Sequence, residues 1–156
     1  MTASNSGRLQ AYGAEGFLSL EVTTCCNSPC RHCFARAAGR AETRLSPALA
    51  EAACREGYGL GYRHLHLTGG EPLLWPALFD LLALVGTLGY QSVFLNTNGL
   101  LLTEAAAARL ARLPGLAVSV TLQGPAALHD AMRGAGTHRR AARGIRHALA
   151  AGLPTS

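Results

Sequence analysis

Four short apolar runs, each followed by a helical pattern, constrain the fold of this chain more than any other feature. The runs contain β-branched residues and are bounded by turn-forming residues, which is typical of strands. They span residues 17–23, 62–68, 92–96 and 116–122. Because strands that are joined through helices run parallel in one sheet, the pattern predicts an α/β fold with about four parallel β/α units.

The helical segments between the strands carry recognisable start signals. Ser46 is the predicted N-cap of the first helix, with Pro47 in its first turn, and Thr103 is the predicted cap of the third. The second helix is predicted from about residue 76 to 88, and the last from about residue 137 to 151. Successive strand ends are spaced close to the roughly 30 residues of a compact βαβ unit, which supports the parallel arrangement.

An unusual loop follows each predicted strand. The loop sequences are TCCNSPCRHC, GGEP, NTNG and QGP, and all are polar or rich in glycine. Ligands of parallel α/β sheets bind beyond the carboxyl ends of the strands. The four loops are therefore predicted to share one rim and to form a binding site there.

The composition is that of a globular protein with a single core. The chain has 156 residues, 49% of them hydrophobic, and a mean hydropathy of +0.16. No uninterrupted apolar stretch reaches the roughly 20 residues of a membrane-spanning helix. Residues 1–16 are small and polar without the apolar centre of a signal peptide, which predicts a flexible leader, a core domain over residues 17–156 and a cytoplasmic location.

Three of the five cysteines form a Cys-x3-Cys-x2-Cys pattern within eight residues of the first loop. They are Cys26, Cys30 and Cys33. An odd cysteine count in a reducing compartment argues against disulfides. Asn27 and Pro29 favour a turning loop in which the three thiolates could wrap a 4Fe–4S cluster and leave one iron without a protein ligand. Zinc, with His32 or Cys25 as a further ligand, remains an alternative on these residues alone.

The net charge of +5 is concentrated in the last third of the chain, and every basic residue is arginine. Four arginines recur there at helical spacing: Arg139, Arg140, Arg143 and Arg146. Aromatic or base-reading partners are missing from this stretch of sequence. The pattern therefore predicts a solvated helix face, and it disfavours a nucleic-acid surface.

Taken together, the motifs resemble those of the radical S-adenosylmethionine (SAM) superfamily. LEVTTCCNSPCRHCF is similar to the family's first strand and its Cys-x3-Cys-x2-Cys loop, with His32 at a position that is commonly aromatic. TGGEP at residues 68–72 and TNG at residues 97–99 match the family's loops after strands two and three. VSVTLQGPAALHDAMRG is similar to the strand-four region, although Thr121 and Gln123 stand where serine and aspartate are frequent.

The resemblance implies two cofactors and one type of reaction. A 4Fe–4S cluster would be held by Cys26, Cys30 and Cys33, and SAM would chelate the open iron through its amino and carboxylate groups. An electron from a donor such as a flavodoxin or ferredoxin would cleave SAM to methionine and a 5′-deoxyadenosyl radical that abstracts hydrogen. The implied function is the maturation of a peptide or a cofactor, so the implied substrate is a peptide or a cofactor precursor.

The resemblance also implies a set of SAM-binding residues. Gly69 and Gly70 would let backbone carbonyls approach the methionyl ammonium. Glu71 would place a negative charge nearby, and Pro72 would stiffen the exit of the loop. The remaining implied contacts are His32, Asn98, Thr121 and Arg133, whose guanidinium would pair with the SAM carboxylate. A catalytic residue for the substrate is not assigned.

Several residues outside these motifs are predicted to be structural. His64 and His66 share one face of the second strand, where lining a pocket is the alternative, and they are expected to be packed core histidines; Trp75 is also expected in the core. Cys25 is predicted to be a loop thiol, and Cys54 a small buried side chain.

Barrels of the family usually contain six β/α units, whereas four are present here. The resemblance therefore implies a partial (β/α) barrel that is truncated before its fifth strand. The strand at residues 116–122 is then expected to have an open edge, which a partner chain or a missing C-terminal segment would cover. Such a chain is expected to aggregate, oligomerise or be marginally stable alone. The competing hypothesis is a non-catalytic iron–sulfur or zinc-binding module.

Overall fold

Four parallel strands form one sheet in this computed structural model, which describes residues 16–33 and 41–156. The strands are β1 (Gly16–Thr23), β2 (Tyr62–Gly69), β3 (Ser92–Thr97) and β4 (Leu116–Val120). They are neighbours in chain order and each pair is parallel, as predicted. The described sheet does not close on itself, which confirms a partial barrel. The predicted leader lies outside the described residues except for its last position.

The described residues form five α-helices and one short 3-10 helix. They are α1 (Pro47–Gly59), the 3-10 helix (Pro72–Leu74), α2 (Leu78–Leu88), α3 (Glu104–Leu110), α4 (Ala126–Arg133) and α5 (Thr137–Ala150). Both predicted caps are confirmed: Ser46 Oγ accepts a hydrogen bond from the Leu49 N–H. Thr103 Oγ1 likewise accepts one from the Ala106 N–H. A bilayer-spanning helix, which must be long and apolar, is not found among the described helices.

Two features of the helices differ from the prediction. The helix expected from about residue 76 begins at Leu78, because residues 76–77 form a turn after Trp75, whose backbone is extended. Helix α4 was not predicted at all. It has only eight residues, and Pro125 at its start makes no side-chain capping bond, so it lacks the start signal by which the other helices were predicted.

One face of the sheet packs against helices and forms the core. Its strand residues include Val22, Leu65, Leu67, Leu95 and Val118. Trp75 and Cys54 are buried in the same core, as predicted. The opposite face of the described sheet is open, since Phe17 is 51% exposed and Phe94 is 42% exposed. The two faces alternate residue by residue, as the period of a strand requires.

The two histidines of β2 lie on the open face, so the prediction that they belong to the core was wrong. The alternation of β2 turns its two leucines toward the helices and therefore turns His64 and His66 away from them. His64 Nδ1 lies 2.7 Å from Ser92 Oγ, and His66 Nδ1 lies 3.1 Å from Ser19 Oγ. Each histidine ring thus forms a hydrogen bond with a hydroxyl group of a neighbouring strand while the ring stays partly exposed.

The outer edge of β4 is partly covered, contrary to the expectation from the sequence. The Val118 N–H donates to Pro154 O at 2.9 Å, and the Val120 N–H donates to Ser156 O at 2.8 Å. Thr155 forms a parallel bridge with Val118, which is the pairing that a fifth strand would make. Strand β4 is also two residues shorter than predicted, because residues 121 and 122 are exposed and lie outside the ladder.

Asp130 on α4 caps the start of α5. Its carboxylate accepts hydrogen bonds from the backbone N–H groups of His138 at 2.8 Å and Gly136 at 2.7 Å. These two bonds hold the pKa of Asp130 below its usual value of 3.8. The carboxylate thereby balances the positive end of the α5 dipole and ties α4 to α5.

We expect Asp130→Ala to lower the urea concentration at the midpoint of unfolding, because two N–H groups at the start of α5 lose their acceptor. The pKa of Asp130 is lower in the folded than in the unfolded chain. Its contribution is therefore present above the unfolded value near 3.8 and is lost as the pH falls through the folded value.

The difference in free energy of unfolding between the wild type and Asp130→Ala, measured in urea, should be smaller at about pH 3 than at about pH 7. Asp130→Asn is the matched variant, since it keeps an acceptor oxygen without the charge. A difference that stays constant over this range would contradict the capping role.

Candidate functional site

A pocket of about 510 Å³ opens at the carboxyl ends of the four strands, where the sequence predicted a shared rim. Nine of the predicted site residues line it: Cys26, Cys30, His32, Cys33, Gly69, Gly70, Asn98, Thr121 and Arg133. Glu71 and Pro72 are buried and do not line it. The fold therefore gathers residues from all four strand-end loops around one cavity.

The Gly-Gly segment packs directly on the cysteine loop, residues 24–33. The Gly70 N–H donates to Thr23 O, and the Glu71 N–H donates to Cys25 O, both at 2.7 Å. A Cβ atom on Gly69 would overlap the Thr23 carbonyl, and one on Gly70 would overlap the Cys25 carbonyl. Gly69 also has a φ of +127°, which residues with side chains rarely adopt. This backbone contact requires glycine at both positions, whether or not a ligand approaches.

The Glu71 carboxylate joins the GGEP loop to the TNG loop inside the protein. The side chain is 0% exposed. Thr97 Oγ1 donates to its Oε1 at 2.7 Å, and the Asn98 N–H donates to its Oε2 at 2.8 Å. The Leu73 N–H also donates to Oε1, at 3.1 Å. Burial raises the pKa of Glu71, while these three donors favour the ionised carboxylate and oppose the rise.

Asn98 connects the TNG loop to the cysteine loop. Its Nδ2 donates to Asn27 Oδ1 at 2.7 Å and lies 3.8 Å from Cys26 Sγ. Its Oδ1 accepts the Leu100 N–H at 3.0 Å, which fixes the orientation of the amide. A path of hydrogen bonds thus runs from the buried Glu71 carboxylate, through Asn98, to the cysteine loop.

The three candidate ligand thiols line the pocket and are partly exposed. The Cys33 N–H donates to Cys30 O at 3.3 Å, so the second half of the loop is a tight turn. Burial raises the pKa of the Cys26 thiol, and a metal bound there would displace a proton that is held more tightly than usual. Cys25 and Cys54 are buried and do not line the pocket.

The three thiols that line the pocket are a donor set that suits a 4Fe–4S cluster. A zinc ion needs thiolate sulfurs about 2.3 Å from one point. Within residues 16–33 and 41–156, no three side chains of cysteine, histidine, aspartate or glutamate converge closely enough to hold one ion. In a 4Fe–4S cubane each cysteine binds a different iron, so the sulfurs need not meet at one point.

Helix α4 holds the other side of the cysteine loop. The Arg31 N–H donates to Met132 O at 2.9 Å, and Ser28 Oγ donates to Arg133 O at 3.0 Å. Ser28 Oγ also lies 3.2 Å from Cys30 Sγ. The cysteine loop is thus fixed between the GGEP and TNG loops on one side and α4 on the other.

A short polar network places His32 and Arg133 at the pocket. Gln123 Nε2 lies 2.8 Å from His32 Nε2, and Arg133 Nε donates to Gln123 Oε1 at 3.4 Å. The Gln123 N–H in turn donates to His129 Nδ1 at 3.2 Å. Burial lowers the pKa of His129, which favours the neutral ring that can accept this bond. Sequence reasoning gave His129 no role, because its partners become visible only once α4 is folded.

Six further pocket residues come from the strands and were not predicted as site residues. They are Glu21, His66, Thr68, Asn96, Thr97 and Ser119. A signal for most of them was present in the sequence. Polar residues at alternate positions of an otherwise apolar run, such as Ser119 in LAVSVTL, mark the strand face that points away from the core.

Curated proteins match most of the chain. It is 32% identical over 137 residues to the mycofactocin maturase MftC of Mycobacterium ulcerans, a match that covers 87% of this chain and 37% of that protein. It is 32% identical over 145 residues to the AdoMet-dependent heme synthase of Oleidesulfovibrio alaskensis, covering 87% of this chain and 36% of that protein. The chain thus spans about a third of the length of these relatives.

Solved structures share the fold. The crystal structure of Streptococcus suis SuiB bound to S-adenosylmethionine gives a TM-score of 0.78 at 20% identity, and the match covers 96% of this chain and 35% of that chain. Native anSMEcpe with bound AdoMet gives a TM-score of 0.77 at 21% identity, covering 90% of this chain and 42% of that chain. At these identities the likeness establishes the fold alone.

A family model described as the radical SAM superfamily matches residues 20–156. The matched range includes every site residue predicted from the sequence, from Cys26 to Arg133. The chain therefore belongs to the radical SAM superfamily, whose cofactors, a 4Fe–4S cluster and SAM, are the two that the sequence predicted.

Proposed function

We propose that this chain is the cofactor-binding part of a radical SAM enzyme that generates a 5′-deoxyadenosyl radical to abstract hydrogen from a peptide or cofactor precursor. The observation that carries the proposal is the meeting of three cysteine thiols, the Gly-Gly segment and the TNG loop at one pocket. Its volume of about 510 Å³ falls within the roughly 300–1,000 Å³ that is usual for cofactor sites.

Cys26, Cys30 and Cys33 would hold the cluster as thiolates. Their loop is already fixed by backbone bonds to the Gly-Gly segment and to α4, so little ordering is left for the cluster to impose. The Asn98 amide, 3.8 Å from Cys26 Sγ, directs an N–H at this sulfur. Such outer contacts orient the ligands and tune the potential of a cluster.

The residues proposed to bind SAM surround the three cysteines: His32, Gly69, Gly70, Asn98, Thr121 and Arg133. The Arg133 guanidinium suits the SAM carboxylate, because a planar group with several N–H donors can bond both carboxylate oxygens. Its Nε is held by Gln123, so its reach into the pocket is restricted. The Thr121 hydroxyl and the Asn98 amide are suited to ribose or carboxylate oxygens.

Glu71 and Pro72 are proposed to act on SAM as positioning residues. The Glu71 carboxylate fixes the backbone of Asn98 from the buried side of the pocket wall. Pro72 opens the 3-10 helix that returns the chain to the core, and its ring fixes the backbone there. Both residues therefore support the groups that would touch the cofactor.

When bound, the reduced cluster and SAM supply the one-electron cleavage of SAM to methionine and a 5′-deoxyadenosyl radical. The chain holds the thiolate ligands rigidly and presents a guanidinium and backbone polar groups to the methionyl end. The open face of the sheet borders the same pocket with Glu21, His66 and Ser119. We assign this face to the substrate side, where a polar substrate group would find hydrogen-bonding partners.

The names of similar proteins support a maturation reaction. MftC is a maturase, another relative is a heme synthase, and SuiB has been crystallised with its precursor peptide SuiA. A peptide or a cofactor precursor is therefore the proposed substrate. A flavodoxin or ferredoxin is the proposed electron donor. The proposed location is the cytoplasm, where cysteines stay reduced.

The proposal is tested by anaerobic reconstitution with iron and sulfide, followed by SAM and dithionite. We expect about four irons per chain and the release of 5′-deoxyadenosine, detected by chromatography. A cluster that forms without any release of 5′-deoxyadenosine would favour the non-catalytic iron–sulfur module.

Arg133→Gln is expected to raise the Kd for SAM by at least about tenfold, since a charge-assisted bond to the carboxylate is lost. Iron content should not change, because the contact of Arg133 with the cysteine loop is made by its backbone carbonyl. Arg112→Gln removes an equal charge at an exposed position outside the pocket and is the control. Equal Kd values for Arg133→Gln and Arg112→Gln would exclude the proposed pair.

A further inference from the structure

An exposed basic surface covers one side of α5. It consists of Arg139, Arg140, Arg143 and Arg146, which line a groove of about 380 Å³ and are here called the arginine face. The opposite side of α5 buries Ala141, Gly144 and Ala148 against the rest of the protein. The proposed chemistry at the pocket does not use the arginine face.

The arginine face is unfavourable for the helix that carries it. Arg139 and Arg140 lie in the first turn of α5, whose own sequence contains no acidic residue, and the carboxylate at this end, Asp130, is already bonded to the N–H groups of Gly136 and His138. Arg143 follows them at spacings of four and three residues, at which like charges repel. In the described part of the chain no ion pair is formed by any of the four. Helix stability therefore does not explain this arrangement.

The arginine face lies on a helix that touches two loops of the candidate site. Gly144 of α5 packs against the Gly99 carbonyl in the TNG loop, where no side chain would fit. The segment that leads into α5 packs against the cysteine loop, with Gly134 beside the Pro29 ring. A protein that docks on the outer side of α5 would therefore be separated from these loops by about one helix diameter, ~10 Å.

We propose that the arginine face is the docking surface for an acidic electron-carrier protein of the flavodoxin type. The inference rests on the proposed function, which requires one electron for each cleavage of SAM. In the transfer, one electron would leave the anionic flavin hydroquinone of the carrier, which would become the neutral semiquinone, and the acceptor would be the oxidised cluster that Cys26, Cys30 and Cys33 are proposed to hold. No bond breaks and no proton moves in this step.

The composition of α5 selects a protein partner over a nucleic acid. Residues 137–150 contain no phenylalanine, tyrosine or tryptophan on which a base could stack. Clustered carboxylates on a partner would pair with guanidinium groups that form no ion pair within the described residues, and they would relieve the repulsion among them. Steering by such charges raises the association rate and weakens as salt is added.

The test compares two variants of equal net charge in the reconstituted protein. Arg139→Glu/Arg143→Glu reverses two charges on the arginine face, and Arg55→Glu/Arg112→Glu reverses two exposed charges elsewhere. The probe is a purified acidic flavodoxin. Binding of its oxidised form is measured by titration, and reduction of the cluster by its hydroquinone is measured by stopped flow.

The arginine-face variant is expected to lose at least about tenfold in association with flavodoxin at low ionic strength, and this loss should shrink as salt is added. The control variant should lose much less. Reduction by dithionite, which needs no docking, should be equal in both variants. In addition, Arg139→Gln/Arg143→Gln should raise the Tm, because like-charge repulsion on α5 is removed.

Three results would overturn the docking surface: unimpaired flavodoxin binding in the arginine-face variant, equal losses in both variants, or loss of oligonucleotide binding with flavodoxin binding intact. Failure of the proposed function has a different signature. In that case the wild type would contain no cluster that dithionite can reduce. Binding of oxidised flavodoxin would still differ between the arginine-face variant and the control.

Discussion

Replacing Cys26, Cys30 or Cys33 with alanine is expected to abolish the cluster in the reconstituted protein. Each thiol is proposed to supply one of three protein ligands, and the other two cysteines are not expected to replace it because Cys25 and Cys54 are buried and do not line the pocket. Iron and acid-labile sulfide should fall from about four per chain to near zero. The iron–sulfur absorbance should disappear with them.

Cys25→Ala and Cys54→Ala are the controls for this series. Cys25 contributes its backbone carbonyl, which accepts the Glu71 N–H, and alanine keeps that carbonyl. Cys54 is a small core side chain, so its truncation should lower the free energy of unfolding and leave the iron content unchanged. Full iron content in an alanine variant of a ligand cysteine would contradict the assignment. So would tight zinc binding by the wild type without iron–sulfur absorbance.

Glu71→Ala is expected to lower the free energy of unfolding by about 3 kcal/mol and to weaken SAM binding. The change leaves the buried Thr97 hydroxyl and the Asn98 N–H without their acceptor. Because Asn98 also bonds to Asn27 of the cysteine loop, the pocket should loosen along with the fold. Urea unfolding and anaerobic SAM titration measure the two effects separately.

Glu71→Gln is the matched variant, because it keeps an amide oxygen for one pair of donors and loses the second acceptor. We expect it to be intermediate in both measurements. Loss of SAM binding in Glu71→Ala with unchanged stability would show that the carboxylate acts on SAM directly, as the family resemblance implied. Unchanged stability and unchanged SAM binding would exclude both roles.

Local patterns were sufficient to predict most of the framework. The Ser46 and Thr103 caps are correct because a capping bond involves residues only three apart. The four strands were found because alternation and β-branched residues are visible in short windows. The rim followed from topology, since parallel strands end on the same side of a sheet.

Contacts between distant residues account for what the sequence did not predict. Glu71 was identified as a site residue, but its buried position depends on donors from residues 97 and 98. Helix α4 is short and has no side-chain cap, and its contacts with the cysteine loop are bonds with Ser28 and Arg31. The covered edge of β4 depends on a pairing with residues 154–156, which no local pattern specifies.

The histidines of β2 illustrate a different limit. Alternation divides a strand into two sets of residues, but it does not state which set faces the core. The more hydrophobic set faces the core, and in YRHLHLTG the leucines are more hydrophobic than the histidines. With Leu65 and Leu67 in the core, the alternation of the strand places His66 on the pocket side.

The central claim is that Cys26, Cys30 and Cys33 hold a cluster to which SAM binds at this pocket. Electron paramagnetic resonance tests it most directly. The reconstituted chain is reduced, and its spectrum is recorded with and without SAM. We predict that SAM shifts the signal of the reduced cluster, because SAM is proposed to bind the iron that lacks a protein ligand. A signal that stays unchanged on addition of SAM, in a sample that retains its full iron content, would contradict the claim.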